Sequence, residues 1–421
     1  MIKTIAVAPG ITLRAMQTEK FKTACFSLNF LRPHTAADAA LDALLPSVLL
    51  RATEHYPDIR SISMQLDALY GASLGTLIRR KGEIKLVGFY ADFIEDAFLP
   101  EGESVFAPIV DLTEEILFRP LTENGVFCAQ NVEGEKQNLI NAIEAEMNDK
   151  RTYAMAKMLR VMCENESYGV PRLGRAEEVR VITPQTLWAH YQKVLKTSRI
   201  ELFYAGQKSP ETVAEAFRRL FAGKQPETCT PVGTQVVRTA EKTRELSERM
   251  DVTQGKLVIG LRTGITVEDA DYPALLLLNA VYGAGVTSKL FVNVREKLSL
   301  CYYASSSLEK YKGVMLVSAG VDFKNYETAK AAIFKELDDC KCGKITSEEL
   351  EAARQAVLSA LRAAQDSPAQ LDEFYMGTTI ARMDDFEELT IKVAALTAED
   401  LTLAAQKLTV DTIYFLKGET A

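Results

Sequence analysis

The sequence predicts an α+β protein of two homologous domains in tandem, each a mainly antiparallel sheet flanked by helices. Three observations lead there. The chain has 421 residues, too many for one ordinary hydrophobic core and enough for two domains of about 200 residues each. Its 47% hydrophobic and 25% charged residues are the proportions of a folded soluble protein, not of a disordered one. Third, the two halves can be laid over one another with the same elements in the same order.

Each half begins with strands. In the first, "FSLNFLRPHTAADAALDALLPSVLL" reads as a strand, an Arg, a polar turn and a long apolar helix; "LVIGLRTGITVEDADYPALLLLNAVYG" repeats that order in the second. "RRKGEIKLVGFYAD" and "KYKGVMLVSAGVD" then each supply a Lys-Gly turn followed by an apolar strand closed by Asp, the pattern of a hairpin. Several helices follow in each half. The match is best at the ends, "ITPQTLWAHYQKVLKTSRIELFYAG" and "LTAEDLTLAAQKLTVDTIYFLKG". Each has a Thr N-cap, an amphipathic helix containing Gln-Lys, and a last strand ending in Gly. Between the halves, residues 223–237 are rich in Pro, Gly and Thr and lack helical periodicity, which reads as a linker. Domains are therefore expected at 1–222 and 238–421.

A formal charge of −8 without a long Lys/Arg cluster argues against nucleic-acid binding, which needs a basic stripe to neutralise phosphates. The short cluster "RRKGEIK" reads as solvated strand ends. The longest apolar run, "YPALLLLNAVYGAG", falls short of the roughly 20 residues that span a bilayer, so no membrane segment is expected. "MIKTIAVAPGITLRAMQ" is not a secretory leader, and a cytoplasmic location follows as an expectation. Seven scattered cysteines suggest buried thiols over a disulfide framework. The close pair Cys340 and Cys342 lacks a second pair or a nearby His to make a metal site.

One stretch comes close to a zinc motif. Arg51-Ala-Thr-Glu54-His55 differs in its first residue from His-x-x-Glu-His, in which two imidazoles one helical turn apart hold Zn and the Glu activates its water. Arg51 has no lone pair to donate, and the stretch follows the point where the apolar periodicity of Leu41, Leu44, Leu45, Val48 and Leu49 stops. Glu54 and His55 read as surface residues at a helix end. The three histidines, at 34, 55 and 190, fall in three different elements.

The duplicated unit, the helix before "RATEHYPDIRSISMQLDALYGA" and the later "REKLSLCYYASSS" together resemble the pitrilysin, insulinase and mitochondrial processing peptidase family over nearly the whole chain. In active members the metal helix runs into Gly-Thr, which corresponds here to Ala52-Thr53. The resemblance then places the family's His, Glu and His on Ala43, Pro46 and Ser47, and its distal Glu ligand on Asn141, with Ala142 beside it. These residues lack the ligands zinc requires, and Pro46 also removes a backbone donor from the helix. Glu144 and Glu146 nearby read as exposed helix charges.

The segment from Tyr282 to Ser307 begins with a Gly283-Ala-Gly285 bend, continues as a helix through Lys297 and turns into a strand, so that Arg295 and Tyr302 flank one tight connection and can approach one point. By spacing alone, Arg295 would neutralise a helix C-terminus and Tyr302 would be an ordinary strand aromatic. The resemblance implies instead the arginine/tyrosine pair of the family's C-terminal domain, two donors that hold a substrate carbonyl near the scissile bond. It implies a noncatalytic subunit that binds no metal itself and joins a His-x-x-Glu-His homologue carrying Zn, in a four-domain clamshell around extended peptides. A peptide-binding or scaffold protein that self-associates, with a possible homodimer, is the alternative. A zinc peptidase built on Glu54 and His55 is the weakest reading.

Overall fold

The strands of the first half form where the alternating and continuous apolar runs place them: β1 (Ile2–Ala8), β2 (Ile11–Gln17), β3 (Thr23–Pro33), β4 (Ser73–Lys81), β5 (Ile84–Ile94), the short ribbon β6 (Thr122–Glu123) and β7 (Val126–Phe127), and β8 (Arg199–Gly206). In this computed structural model, which describes residues 2–419, all but the ribbon join one six-stranded sheet in the order β1-β2-β8-β3-β5-β4. Every pairing is antiparallel except β2 with β8. β3 is buried along nearly its whole length, as a central strand covered on both faces must be.

The second half supplies β9 (Arg244–Arg249), β10 (Gly255–Arg262), β11 (Cys301–Glu309), β12 (Val314–Val321) and β13 (Thr409–Lys417), in the order β11-β12-β10-β13-β9. Here too a single pairing is parallel, β13 with β9. The repeat is thus one of topology: hairpin β4–β5 recurs as β11–β12, and the parallel pair β2–β8 as β9–β13. β1 has no counterpart among the described residues. The repeated Lys-Gly turns lie at Gly82 and Gly313, with φ of +59° and +66°, a conformation that glycine adopts without the Cβ clash of other residues. Thr183 and Thr397 cap the helices Pro184–Thr197 and Ala398–Gln406 by accepting from the backbone N–H three residues on.

Two compact units emerge among the described residues, 2–144, 170–233 and 366–380 in one, and 145–169, 234–365 and 381–419 in the other. In each, an apolar helix follows the first long inner strand and fills the core: Ala39–Leu49 packs Leu44, Leu45 and Val48 with Phe26 and Phe89, and Tyr272–Tyr282 packs Leu275, Leu278 and Val281 with Ile259 and Val317. The opposite face of each sheet meets a helix from the other half of the sequence, Pro368–Gly377 in the first unit and Lys150–Met162 in the second.

The "RRKGEIK" cluster corrects its sequence reading. Lys81 is 2% exposed and Lys85 is fully buried. Lys81 Nζ donates to the Glu373 side chain and to its carbonyl oxygen, Lys85 Nζ to Ala39 O at 2.7 Å, and Arg79 pairs with Asp372 at 2.6 Å. Partners far along the chain make burial of these cations possible.

Candidate functional site

The helix Ala39–Leu49 carries Ala43, Pro46 and Ser47. Ala43 and Pro46 are buried and offer a methyl and a ring; Ser47 offers a neutral hydroxyl. Asn141, exposed on helix Ala129–Ala145, already accepts from Gln137 Nε2 at 2.8 Å. Zinc binds imidazole, thiolate or carboxylate, so this set of side chains does not fit the ion. Asp42, next to Ala43, is committed elsewhere, 2.8 Å from both Arg32 Nε and His190 Nε2.

Arg51-Ala-Thr-Glu54-His55 lies in the turns after that helix. Arg51 pairs with Glu135 at 3.1 Å. Glu54 and His55 are exposed, and His55 Nδ1 lies 2.8 Å from Glu115 Oε1. Burial would raise the Glu115 carboxyl, but the hydrogen bonds from His55 outweigh it and hold Glu115 below the ordinary carboxylate range. His34 is buried with Nε2 3.0 Å from Val170 O, and burial pushes its pKa down to about 4. Each histidine therefore serves a separate partner. Among the described residues no group of three or more His, Cys, Asp or Glu side chains could hold a metal.

Arg295 and Tyr302 are brought together. The helix expected through Lys297 is a π-helix, Leu290–Lys297, a form that recurs at functional sites. Gly283 lets its entrance close: a Cβ there would come within 2.4 Å of Ser306 Oγ. Beyond the helix, Ser299 takes φ +51°, reversing the chain into β11. The register of β11 on β12 then shifts between Cys301 and Tyr303, so Tyr302 is the extra residue of a bulge. Bulges re-aim side chains, and Tyr302 is 63% exposed. Arg295 Nε donates to Tyr302 O at 3.0 Å, and the guanidinium lies 4.5 Å from the Phe291 ring centre. Nη1 pairs with Glu296 at 3.0 Å. Both residues line a cleft of about 390 Å³ with Ser299, Leu300 and Asp322. The Nη2 amine has no partner among the described residues, and the Tyr302 hydroxyl has only a long contact of 3.4 Å to Asp322. The Nη2 group of Arg295 and the Tyr302 phenol are thus donors that this cleft leaves open.

Tyr302 also borders a second cleft of about 790 Å³ in the same unit, with Arg151, Asp251 and Lys256. Sequence reading had no signal for it, since its side chains come from three separate segments. Burial lowers the Lys256 ammonium below the ordinary lysine value, with Asp149 opposing and Arg151 adding to the shift.

Two α+β units that share one strand order, β4-β5-β3-β8-β2 matching β11-β12-β10-β13-β9, make this a duplicated α+β protein. Residues 182–357 match the family described as the Peptidase M16 inactive domain. The chain is 32% identical to the "Probable inactive metalloprotease YmfF" of Bacillus subtilis (strain 168), over 97% of this chain and 96% of that one. A crystal structure of a conserved protein from Enterococcus faecalis V583 superposes with a TM-score of 0.92 at 29% identity, covering 100% of this chain and 99% of that one. A peptidase M16 inactive domain from Pseudomonas fluorescens shares the fold, with a TM-score of 0.81 at 16% identity over 100% and 98% of the two chains. The chain belongs to the M16 peptidase family, the pitrilysin family of the sequence reading, as an inactive-type homologue.

Proposed function

We propose that this chain is the noncatalytic subunit of a two-chain zinc peptidase, binding and positioning extended peptides for a His-x-x-Glu-His partner. The observation that carries the reading is the exposed Arg295/Tyr302 pair, locked by the Nε-to-carbonyl bond across the π-helix and bulge. Its two donors would hold a peptide carbonyl and the charge that develops on its oxygen during attack. The partner would bring Zn, the activated water and a sheet edge on which the peptide adds as a strand. Cytoplasmic assembly belongs to the same proposal; five buried and two exposed cysteines, all free thiols, suit a reducing compartment.

Mixing the chain with a His-x-x-Glu-His homologue should give peptide cleavage that neither chain gives alone. Arg295→Ala with Tyr302→Phe should lower that joint kcat about a hundredfold, the scale of one lost oxyanion donor or more. Unchanged joint turnover would remove the carbonyl role. Failure to bind any such homologue would favour the self-associating scaffold, and one Zn per isolated chain would overturn the noncatalytic assignment.

A further inference from the structure

Lys256 on β10 and Tyr303 on β11 both face Gly320 of β12, one from each side. A Cβ on Gly320 would come within 2.5 Å of Tyr303 Cε1, so the missing side chain is what lets the ring lie across the strand, the way an aromatic covers a sheet glycine. That ring gathers two cations. The Arg151 guanidinium lies 4.3 Å and the Lys256 ammonium 5.8 Å from its centre. Arg151 also donates to Ser305 Oγ at 3.0 Å, and Lys256 Nζ donates to Gln254 Oε1 at 2.5 Å. Neither has a carboxylate in ion-pair contact among the described residues. Cations buried deeper in this unit do: Arg262 holds Glu166 and Asp411, and Lys289 holds Glu349, whereas Lys256 is half-buried and Arg151 exposed.

Two like charges brought to one ring repel each other, and an anion between them would relieve that repulsion and replace part of the hydration that half-buried Lys256 loses. The cleft beside them has room for one. We infer that Lys256 and Arg151, set around the Tyr303 ring, form a subsite for the free C-terminal carboxylate of a bound peptide. The identity of the ligand as a peptide rests on the proposed function, through Tyr302: this residue borders both the Arg295 cleft and the Lys256 cleft, so an extended segment touching it can end between the two cations. Asp149 and Asp251 line the same cleft and would oppose a doubly charged phosphate more than a single carboxylate. The chain would thereby read where a peptide ends.

The test is fluorescence anisotropy with the purified chain and an uncharged, labelled octapeptide in three forms: free acid, C-terminal amide, and amide with one internal Glu. The acid should bind about tenfold tighter than the amide, the scale of a hydrogen bond to a charged group. The internal Glu should not restore the difference. Lys256→Gln and Arg151→Gln should each abolish the preference while leaving amide affinity at the wild-type level, which also reports that the variants fold; Lys256→Arg should keep it. Equal wild-type affinity for acid and amide would overturn the subsite and leave the peptide reading standing. Binding of neither form would overturn the subsite, while the peptide reading itself falls only if joint cleavage with the His-x-x-Glu-His partner fails. An internal Glu that matches the free acid would reassign the site to acidic side chains, and displacement by inorganic phosphate where acetate is inert would reassign it to phosphoryl groups; either result overturns the inference.

Discussion

Helix Lys150–Met162 lies on the second sheet through Ala154, Met158 and Met162, packed with Val258, Leu316 and Tyr414. Helix Pro368–Gly377 meets the first sheet differently. Asp372 accepts from Ser27 Oγ at 2.6 Å and pairs with Arg79 at 2.6 Å, Met376 contacts Asn29, and Tyr375 stacks on Phe203 at 6.0 Å. The same topological device, a helix lent by the other half of the chain, is held in one unit mainly by apolar burial and in the other by a polar network. Charge follows the same division. Glu166, just past helix Lys150–Met162, would be raised by burial, but hydrogen bonds from Arg262 and Lys312 win and hold it below the ordinary carboxylate range. At Asp372 burial outweighs Arg79 and Ser27, and the carboxyl is pushed up. One buried acid is overcompensated by cations; the other is not.

The local opening free energy of each helix, read by native-state hydrogen exchange, tests the contrast. Glu166→Ala should have the largest effect, weakening helix Lys150–Met162 by about 3–5 kcal/mol, because it strips Lys312 and Arg262 of a buried partner. Met158→Ala, at a fully buried position, should follow at about 3 kcal/mol from lost contacts and a cavity. Asp372→Ala should weaken helix Pro368–Gly377 by about 1–3 kcal/mol, since Arg79 keeps Glu373 at 3.4 Å. If Asp372→Ala cost more than Met158→Ala, the ranking of apolar over polar attachment would be wrong.

The smallest effect is the one with opposite signs. Glu166 has a lowered folded pKa, so its contribution is present above the unfolded value of about 4.5 and is lost as pH falls through the folded one. Asp372 has a raised folded pKa, so its contribution is present below about 3.8 and is lost as pH rises through the folded one. Acidification should therefore erode the advantage of wild type over Glu166→Gln at helix Lys150–Met162. It should increase the advantage of wild type over Asp372→Asn at helix Pro368–Gly377. The same sign at both helices would end the comparison.

Much of the fold was legible because it is written locally. The Lys-Gly turns at Gly82 and Gly313 and the Thr183 and Thr397 caps are decided within a few residues, so spacing reveals them. The position of Arg295 and Tyr302 on either side of one connection was likewise readable, since the two are close in sequence. The π-form of the helix, and the bulge that turns Tyr302 outward, depend on how β11 pairs with β12, which spacing does not encode. The burial of Lys81 and Lys85 is not legible locally for a related reason: a lysine reads as solvated unless its acceptors are near in sequence, and here they are Glu373 and Ala39.

Residue identity and periodicity give the order of elements in each copy and, with the halves laid over one another, the duplication; the family resemblance adds that Ala43, Pro46 and Ser47 correspond to the family's His, Glu and His. Which helix covers which sheet, and which buried acid has its carboxyl drawn below the ordinary range by cations, are settled by the fold in three dimensions. The same holds for Arg151, Lys256 and Tyr302, which share one cleft. Those outcomes depend on distances between segments far apart in the chain, and the energies involved, desolvation against Coulomb attraction, change sign with the arrival of a single partner.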